Sequence, residues 1–188
     1  MVNTHFPTHG IATERLILQA AQPSHARALH TYLLQNRAYL QPWEPTRDDD
    51  FFALDAITQR LETMAEKTAS GEALHLLIRR DGQIIGACNF THIVRGAFQA
   101  CHLGYALDES AQGQGLMHEA LKAAIAYGFD AMKLHRIMAN YRPENARSAR
   151  LLERLGFERE GQARAYLKIN GVWADHVLTS LINHAESD

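Results

Sequence analysis

The sequence has little cysteine and no cluster of histidines. Cys88 and Cys101 are the only two cysteines among 188 residues, which is too few for a disulfide framework and suits a reducing compartment. The eleven histidines are scattered along the chain, so we predict no metal site. We therefore expect neither a disulfide-rich protein nor a metalloenzyme.

The sequence also lacks an excess of charge and a long apolar run. It has 19 basic against 21 acidic residues, so no global field would attract nucleic acid or a membrane surface. No apolar run reaches the length of a membrane span, and the N-terminus lacks the apolar core of a signal peptide. We therefore expect a cytoplasmic protein that binds neither nucleic acid nor a membrane directly.

Internal repeats, low-complexity tracts and linkers are absent, which predicts a single folding unit. With 46% apolar residues, the chain can bury a sizeable core. Residues 1–10, with a proline and a glycine, are expected to form a loose tail. Residues 11–188 are expected to form one mixed α/β domain.

Hydrophobic periodicity predicts seven strands and four helices. Apolar residues alternate in the strands and recur at three- and four-residue spacing in the helices. Asp81-Gly82 and Asn170-Gly171 each predict a hairpin turn between two strands. The predicted strands are residues 13–19, 74–78, 84–88, 100–107, 135–141, 157–169 and 172–182.

A glycine-bearing turn lies between the predicted strand 100–107 and the helix that follows it. It reads Gln112-Gly113-Gln114-Gly115-Leu116-Met117 and is called the glycine loop below. Glycine lets the backbone approach a ligand closely, and the first amides of a helix are unpaired at its positive end. The turn therefore predicts a phosphate-binding site, although its spacing fits neither a P-loop nor a dinucleotide-binding turn.

The glycine loop resembles the Q/R-x-x-G-x-G/A loop of the Gcn5-related N-acetyltransferases (GNAT), whose loop amides hold the pyrophosphate of acetyl-CoA. Asn145-Ala146-Arg147-Ser148 and Leu152-Glu153-Arg154-Leu155-Gly156-Phe157 resemble two further segments of that superfamily, N-x-x-S and L-x-x-x-G-F. The resemblance implies a single GNAT domain with a central, mostly antiparallel sheet of six to seven strands, flanked by about four helices. It also implies acetyl-CoA as the acetyl donor, with no metal.

Segments from residue 13 to the end of the chain resemble the RimJ family, which acetylates the N-terminal alanine of a small-subunit ribosomal protein. Met117 stands where the wider superfamily has glycine or alanine, but RimJ-type loops themselves read Q-G-x-G-L-M. A lysine is usual where Gln114 stands, so one phosphate-facing charge is expected to be absent. The other matching segments are Asn36-Arg37, Pro42-Trp43-Glu44-Pro45, Val94-Arg95-Gly96, His135-Arg136-Ile137-Met138-Ala139-Asn140-Tyr141 and Asp175-His176-Val177-Leu178.

The resemblance implies partners as well as a fold. Acetyl-CoA is expected to contact the glycine loop, Leu107, Asn140 and Asn145. The acceptor is expected to be the N-terminus of a small-subunit ribosomal protein, and the enzyme a monomer or weak homodimer. The alternatives are acetyl transfer to a small amine or polyamine, and a non-catalytic ribosome-associated binding protein with this fold.

The chemistry of a thioester limits what such an enzyme must supply. An amine held in line attacks an acetyl thioester directly, but an α-amine with a pKa of about 8 is mostly protonated at pH 7. A proton acceptor is therefore needed, and Glu44 and His102 are both candidates. Backbone N–H groups of the strand ending at Leu107 are the expected donors to the oxyanion. Ser148 is the expected proton donor to the departing thiolate, and Asn145 is expected to touch the pantetheine arm.

Each of these residues also has an ordinary structural explanation. Asn145 stands where a helix N-cap is expected, His102 can be half-buried in its strand, and Glu44 can be a solvated loop carboxylate. Trp43 is expected to wall the acceptor groove beside Glu44, although a lone loop tryptophan can equally just pack. The sequence leaves these alternatives open.

Overall fold

An eight-stranded sheet forms the centre of the protein, for which a computed structural model describes residues 6–186. The strands are Ile11–Ala12 (β1), Ile17–Ala20 (β2), Leu74–Arg80 (β3), Gln83–Val94 (β4), Ala100–Leu107 (β5), Arg136–Met138 (β6), Glu158–Ile169 (β7) and Val172–Ile182 (β8). The helices are Ala26–Leu40 (α1), Leu54–Ser70 (α2), Leu116–Asp130 (α3) and Ala146–Arg154 (α4). The strand order is β1-β2-β3-β4-β5-β6-β8-β7, and only β5 and β6 run parallel. The predicted mixed α/β fold is confirmed, with one strand more than expected.

The additional strand is β1, which precedes the predicted strand 13–19, and residues 13–16 of that predicted strand form a turn. Thr13 N–H donates to the Leu16 carbonyl at 2.8 Å, and the Thr13 hydroxyl donates to the same oxygen at 3.3 Å. The chain therefore reverses between β1 and β2, and Ile11 lies opposite Leu18. Side-chain alternation carries no signal for such a turn, which is why the sequence predicts one strand here.

Helices cover both faces of the sheet. Leu121 of α3 and Leu152 of α4 belong to one buried cluster, while Leu29 of α1 and Ile57 of α2 belong to a second. Neighbouring strand residues alternate between the two clusters, because successive side chains point to opposite faces. The central strands are therefore buried on both sides and give the site a rigid base.

β5 and β6 separate after a short parallel contact, which ends at His102 and Met138. Asp108 N–H, just after β5, donates to a carbonyl of β4 at 2.7 Å. Since backbone N–H groups alternate in direction along a strand, those of Tyr105 and Leu107 point away from β4. The end of β5 therefore presents an edge that no other described strand covers.

The predicted Asn170-Gly171 turn joins β7 and β8, and its tip reaches the loop after α1. The two residues have φ values of 45° and 79°, as a tight two-residue hairpin turn of this kind requires. Asn170 N–H donates to the Glu44 carbonyl at 2.8 Å. This contact fixes the loop that carries Trp43 and Glu44 against the hairpin.

The predicted loose tail, residues 1–10, lies partly outside the described residues, since these begin at Phe6. The Phe6 ring packs edge-on against Tyr127 of α3, with the ring centroids 5.1 Å apart. Gly10 N–H donates to the Pro7 carbonyl at 2.8 Å. From Phe6 onward the segment is therefore held on the domain, because an aromatic ring finds an apolar partner there.

Candidate active site

A cavity of about 830 Å³ lies beside the unpaired end of β5. Its walls are the end of β5, the glycine loop with the start of α3, one side of α4, and the segment around the end of α1. This volume is within the range of cavities that bind cofactors and small molecules. The predicted site residues that line it are Trp43, Glu44, Leu107, Gln112, Gly113, Gly115, Leu116, Met117, Asn145 and Ser148.

Gly113 and Gly115 give the glycine loop the shape of a phosphate cradle. Both have positive φ, 73° and 76°, which other residues adopt only with strain. No atom lies within 4 Å of the position that a Cβ would take on Gly113, so the backbone is open there. Gly115 is the N-cap of α3, and the first amides of that helix open beside the cavity. The geometry therefore fits an anionic group such as a pyrophosphate.

Buried Asn36 fixes the segment that leads into the glycine loop to α1. Its amide donates to the Asp108 carboxylate at 2.8 Å, and its side-chain oxygen accepts from Glu109 N–H at 3.1 Å. Burial would raise the pKa of Asp108, but hydrogen bonds from Ser110 and Asn36 outweigh it and lower that pKa. The carboxylate is therefore ionised at neutral pH and holds this corner of the site.

A polar bridge links α1, the glycine loop and α4 across the cavity. Gln112 donates its side-chain amide to the Tyr39 hydroxyl, and Arg147 donates to the Gln112 side-chain oxygen at 2.5 Å. Arg147 also donates to the Tyr39 hydroxyl at 3.3 Å. Sequence patterns do not reveal this bridge, because its members are 35 to 108 residues apart.

One side of α4 turns arginines toward the cavity. Arg147, Arg150 and Arg154 all line it, at the three- and four-residue spacing of one helix face. His118, near the start of α3, lines it as well. The cavity lined by the glycine loop is therefore also lined by positively charged side chains.

The Gln114 side chain does not line the cavity, and its predicted contact with the cofactor stays a prediction. It accepts from Arg80 at 2.9 Å and donates to the Ser110 carbonyl at 3.0 Å. Arg15 donates to the Gln114 carbonyl at 3.0 Å. Arg15 and Arg80 therefore place positive charge on the outer side of the loop, near the position where a lysine is usual.

Ser148 reaches the cavity from the first turn of α4 and contacts a tyrosine of β5. Asn145 caps the helix, since its side-chain oxygen accepts from Ser148 N–H at 3.0 Å. Ser148 Oγ lies 2.5 Å from the hydroxyl oxygen of Tyr105, which also lines the cavity. Burial raises the pKa of Tyr105 to about 12, so the phenol keeps its proton at neutral pH. Sequence reasoning did not select Tyr105; its place two residues before Leu107 is the one signal that could have.

Trp43 and Glu44 line the cavity from the loop that the hairpin tip contacts. Burial raises the pKa of the Glu44 carboxyl, although nearby Arg47 opposes this. Arg142 donates to the Pro42 carbonyl at 2.9 Å, and its guanidinium lies 5.8 Å from the centre of the Trp43 ring. A half-buried carboxylate with a raised pKa in a cavity is suited to accept a proton.

His102 does not line the cavity. It lies on the face of β5 opposite Tyr105, since side chains alternate along a strand. Its ring packs edge-on against His92, with the ring centroids 5.8 Å apart. Burial lowers the pKa of His102, and the His92 ring lowers it further. The structure therefore does not bring this candidate base to Ser148.

Asn140 does not line the cavity either, because its side chain has partners elsewhere. Its oxygen accepts from the backbone N–H of Thr179 in β8 at 3.3 Å. Its amide donates to the hydroxyl of Tyr166 in β7 at 3.2 Å. In this structure Asn140 connects the chain after β6 to the last hairpin.

Comparison with known proteins shows the family. Residues 15–158 match the acetyltransferase (GNAT) domain family. The chain is 44% identical over 180 residues to the [ribosomal protein uS5]-alanine N-acetyltransferase of Escherichia coli K12, covering 95% of this chain and 93% of that protein. The crystal structure of ribosomal-protein-S5-alanine acetyltransferase from Vibrio fischeri is similar with a TM-score of 0.89, at 40% identity over 93% of this chain and 96% of that one. Mycobacterium smegmatis RimJ in complex with CoA-disulfide is similar with a TM-score of 0.87, at 28% identity over 92% and 84%.

The chain therefore belongs to the GNAT acetyltransferase family, and it is an acetyl-CoA-dependent N-acetyltransferase. The resemblance to the RimJ family seen in the sequence is confirmed. Within residues 6–186, no helix is long and apolar enough to span a membrane. In the same range, no three potential metal-ligating side chains form a group.

Proposed function

We propose that the protein transfers the acetyl group of acetyl-CoA to the α-amine of an N-terminal alanine on a small-subunit ribosomal protein, the counterpart of uS5. The observation that carries this proposal is the 44% identity to a uS5-alanine N-acetyltransferase over nearly the whole of both chains. Residues 11–188 act as one domain, and the enzyme is a monomer or weak homodimer.

The placement of acetyl-CoA follows from two features of the cavity. Its pyrophosphate lies on the backbone amides of the glycine loop, where two glycines with positive φ leave the backbone open. Its pantetheine arm lies along the unpaired edge of β5, where the N–H groups of Tyr105 and Leu107 face away from β4. The same edge offers N–H donors to the oxyanion of the thioester carbonyl.

The proton acceptor in this proposal is Glu44. An α-ammonium group with a pKa of about 8 must lose a proton before its nitrogen can attack. Glu44 lines the cavity, and its burial raises its pKa, which brings it closer to the pH at which the enzyme works. Ser148 on α4 also lines the cavity and donates a hydrogen bond to the departing sulfur.

The contact between the hairpin tip and the Glu44 loop supports a chain end as acceptor. Asn170 N–H donates to the Glu44 carbonyl, so the β7–β8 turn and the loop after α1 are joined. This contact fixes the wall that Trp43 and Glu44 form, so an α-ammonium group that enters the cavity meets the Glu44 carboxylate at a defined place. Trp43 beside it limits the space for the first side chain, which suits alanine.

Mass spectrometry of peptide products tests the acceptor. The first peptide has the first residues of uS5 with a free α-amine on its N-terminal alanine. The second peptide has a blocked α-amine and an internal lysine. We expect one acetyl group on the α-nitrogen of the first peptide and none on the second. Faster acetylation of spermidine or free amino acids than of the alanine peptide would mean that the acceptor is a small amine.

The arginines of α4 give a prediction about donor affinity. Replacing Arg150 and Arg154 together by glutamine is expected to weaken acetyl-CoA binding about tenfold, because two charged donors near the phosphates are lost. Calorimetric titration measures the change, with exposed Arg159→Gln as the matched control that leaves affinity unchanged. Titration with 3′-dephospho-acetyl-CoA shows which phosphate the two arginines bind. If they bind the 3′-phosphate, wild type and the double variant should have equal affinity for this donor. Equal affinity of wild type and the double variant for acetyl-CoA would contradict the prediction.

Glu44 gives a prediction about pH dependence. Glu44→Gln keeps the shape of the side chain but cannot accept a proton, so KM for the peptide should rise and kcat should fall by about tenfold or more. Because a base works only when it is deprotonated, activity rises with pH through its pKa, and that acidic limb should be lost in Glu44→Gln. His102→Gln is measured in parallel and should keep the limb. Loss of the limb in His102→Gln instead would transfer the role to His102.

A further inference from the structure

The Tyr105 hydroxyl is a half-buried polar group in the cavity wall that the mechanism above does not use. It lies 2.5 Å from Ser148 Oγ, and among the described residues this is the only hydrogen bond that either hydroxyl makes. Tyr105 is half-buried on β5, and Ser148 comes from α4, 43 residues further along the chain. A contact between a strand and a helix at the reacting end of the cavity can do more than hold the two elements together.

The direction of this hydrogen bond follows from the number of protons available. Each hydroxyl has one proton, and if Ser148 donated to Tyr105 it would have none left for the sulfur. A helical serine can also donate to the carbonyl four residues earlier, but Ser148 makes no such bond here. Burial raises the pKa of Tyr105 to about 12, so the phenol has a proton to donate. With Tyr105 as donor, the Ser148 proton is free to point into the cavity.

We infer that Tyr105 is a positioning residue, which donates to Ser148 Oγ and thereby directs the Ser148 O–H toward the departing sulfur of the acetyl thioester. This inference rests on the acetyl transfer proposed above. As the amine attacks, the C–N bond forms, the C–S bond breaks and its electron pair goes to sulfur. Ser148 donates a hydrogen bond to the developing thiolate, and the bond from Tyr105 makes that O–H a stronger donor. The amine proton goes to the base, which releases it to water, and the thiolate takes up one proton from water, so the protons balance and Tyr105 keeps its own.

Both hydroxyls are held by rigid parts of the fold. Tyr105 lies opposite Cys88 on β4, and Cys88 is fully buried in the core. The N–H of Ser148 is fixed by the Asn145 cap at the start of α4. A donor chain built on a strand and a capped helix keeps its geometry before the substrate arrives, which is what a positioned catalytic group requires.

A double-mutant cycle tests the inference. Tyr105→Phe, Ser148→Ala and the double variant are compared with wild type by single-turnover kinetics, and KM is measured for acetyl-CoA. Tyr105→Phe should lower kcat about tenfold without changing KM, since a transition-state hydrogen bond is weakened. In the Ser148→Ala background, the same change should lower kcat by less than twofold, because Tyr105 acts only through Ser148. An unchanged kcat in Tyr105→Phe, or a second tenfold loss in the double variant, would overturn the inference.

Two further measurements separate this role from a structural one. Tyr127→Phe removes a half-buried tyrosine hydroxyl outside the cavity and should leave kcat unchanged. 3-Fluorotyrosine at position 105 keeps the fold and makes the phenol a stronger donor, so kcat should rise; an equal or lower kcat would overturn the direction of the bond.

The cycle is run with whichever amine the wild type acetylates, so an error about the acceptor does not affect it. Absence of any acetyl transfer by the wild type would refute the proposed function. Normal wild-type turnover with a fully active Tyr105→Phe would refute this inference alone.

Discussion

Replacing Ser148 by alanine is expected to lower kcat by roughly ten- to a thousandfold, with little change in the affinity for acetyl-CoA. The hydroxyl is needed when charge develops on sulfur, so its loss affects the transition state and not the bound donor. Solvent replaces part of the effect, which limits the loss. Alanine keeps the backbone N–H that Asn145 caps, so α4 should begin at the same residue. Single-turnover kinetics with the alanine peptide measure kcat, and calorimetry measures donor affinity.

Ser70→Ala is the matched control for this variant. Ser70 lies at the end of α2, where its hydroxyl is exposed and donates to the Lys67 carbonyl. Its replacement should change neither kcat nor donor affinity. If chemistry is shown to be rate-limiting and Ser148→Ala keeps the wild-type kcat, Ser148 has no part in the mechanism.

Replacing Gly113 and Gly115 together by valine is expected to abolish measurable acetyl-CoA binding. No atom lies within 4 Å of an added Cβ on Gly113, so a side chain there has room to stand where the pyrophosphate would approach the amides. A side chain on Gly115 would face Arg15 and would act through backbone strain at positive φ. Valine is also strained at positive φ, so Gly113→Ala is the sharper probe. We expect Gly113→Ala alone to weaken binding by about a hundredfold, as judged by calorimetric titration, since several charge-assisted hydrogen bonds are disturbed at once.

Gly82→Ala separates ligand blocking from backbone strain. Gly82 has φ of 81° in the turn between β3 and β4, and nothing lies within 4 Å of an added Cβ, as at Gly113. The two alanine variants should therefore lose similar thermal stability, while only Gly113→Ala loses affinity. Normal acetyl-CoA binding by the double valine variant would show that the phosphates lie elsewhere.

The sequence predicts most of the fold because periodic side chains decide which face of each element is buried. The Asn170-Gly171 turn, the glycine loop and the Asn145 cap all lie where local patterns place them, because each depends on a few neighbouring residues. The turn at Thr13 and the separation of β5 from β6 depend on backbone hydrogen bonds, which side-chain patterns do not encode. These features therefore become visible only in the structure.

The candidate site was predicted less completely, for the same physical reason. Local motifs indicate Ser148 and the glycine loop, but the Tyr105 contact joins residues that only the tertiary fold brings together. The face of the sheet on which a given strand residue lies is also hard to predict, since a shift of one position moves its side chain to the other face. His102 was a reasonable candidate base by residue type, yet the alternation of β5 turns it away from the wall that contains Tyr105.

The gap between β5 and β6 links the lifetime of the protein in the cell to the concentration of acetyl-CoA. Within residues 6–186, no strand pairs with the N–H groups of Tyr105 and Leu107, so acetyl-CoA that hydrogen-bonds to them binds only the folded chain. A ligand that binds only the folded state at a hundred times its Kd adds about 2.7 kcal/mol to the free energy of unfolding. Proteases act on the unfolded fraction, so a cell rich in acetyl-CoA should degrade this protein more slowly than a starved one. The abundance of the enzyme would then follow the supply of its own donor without any regulator.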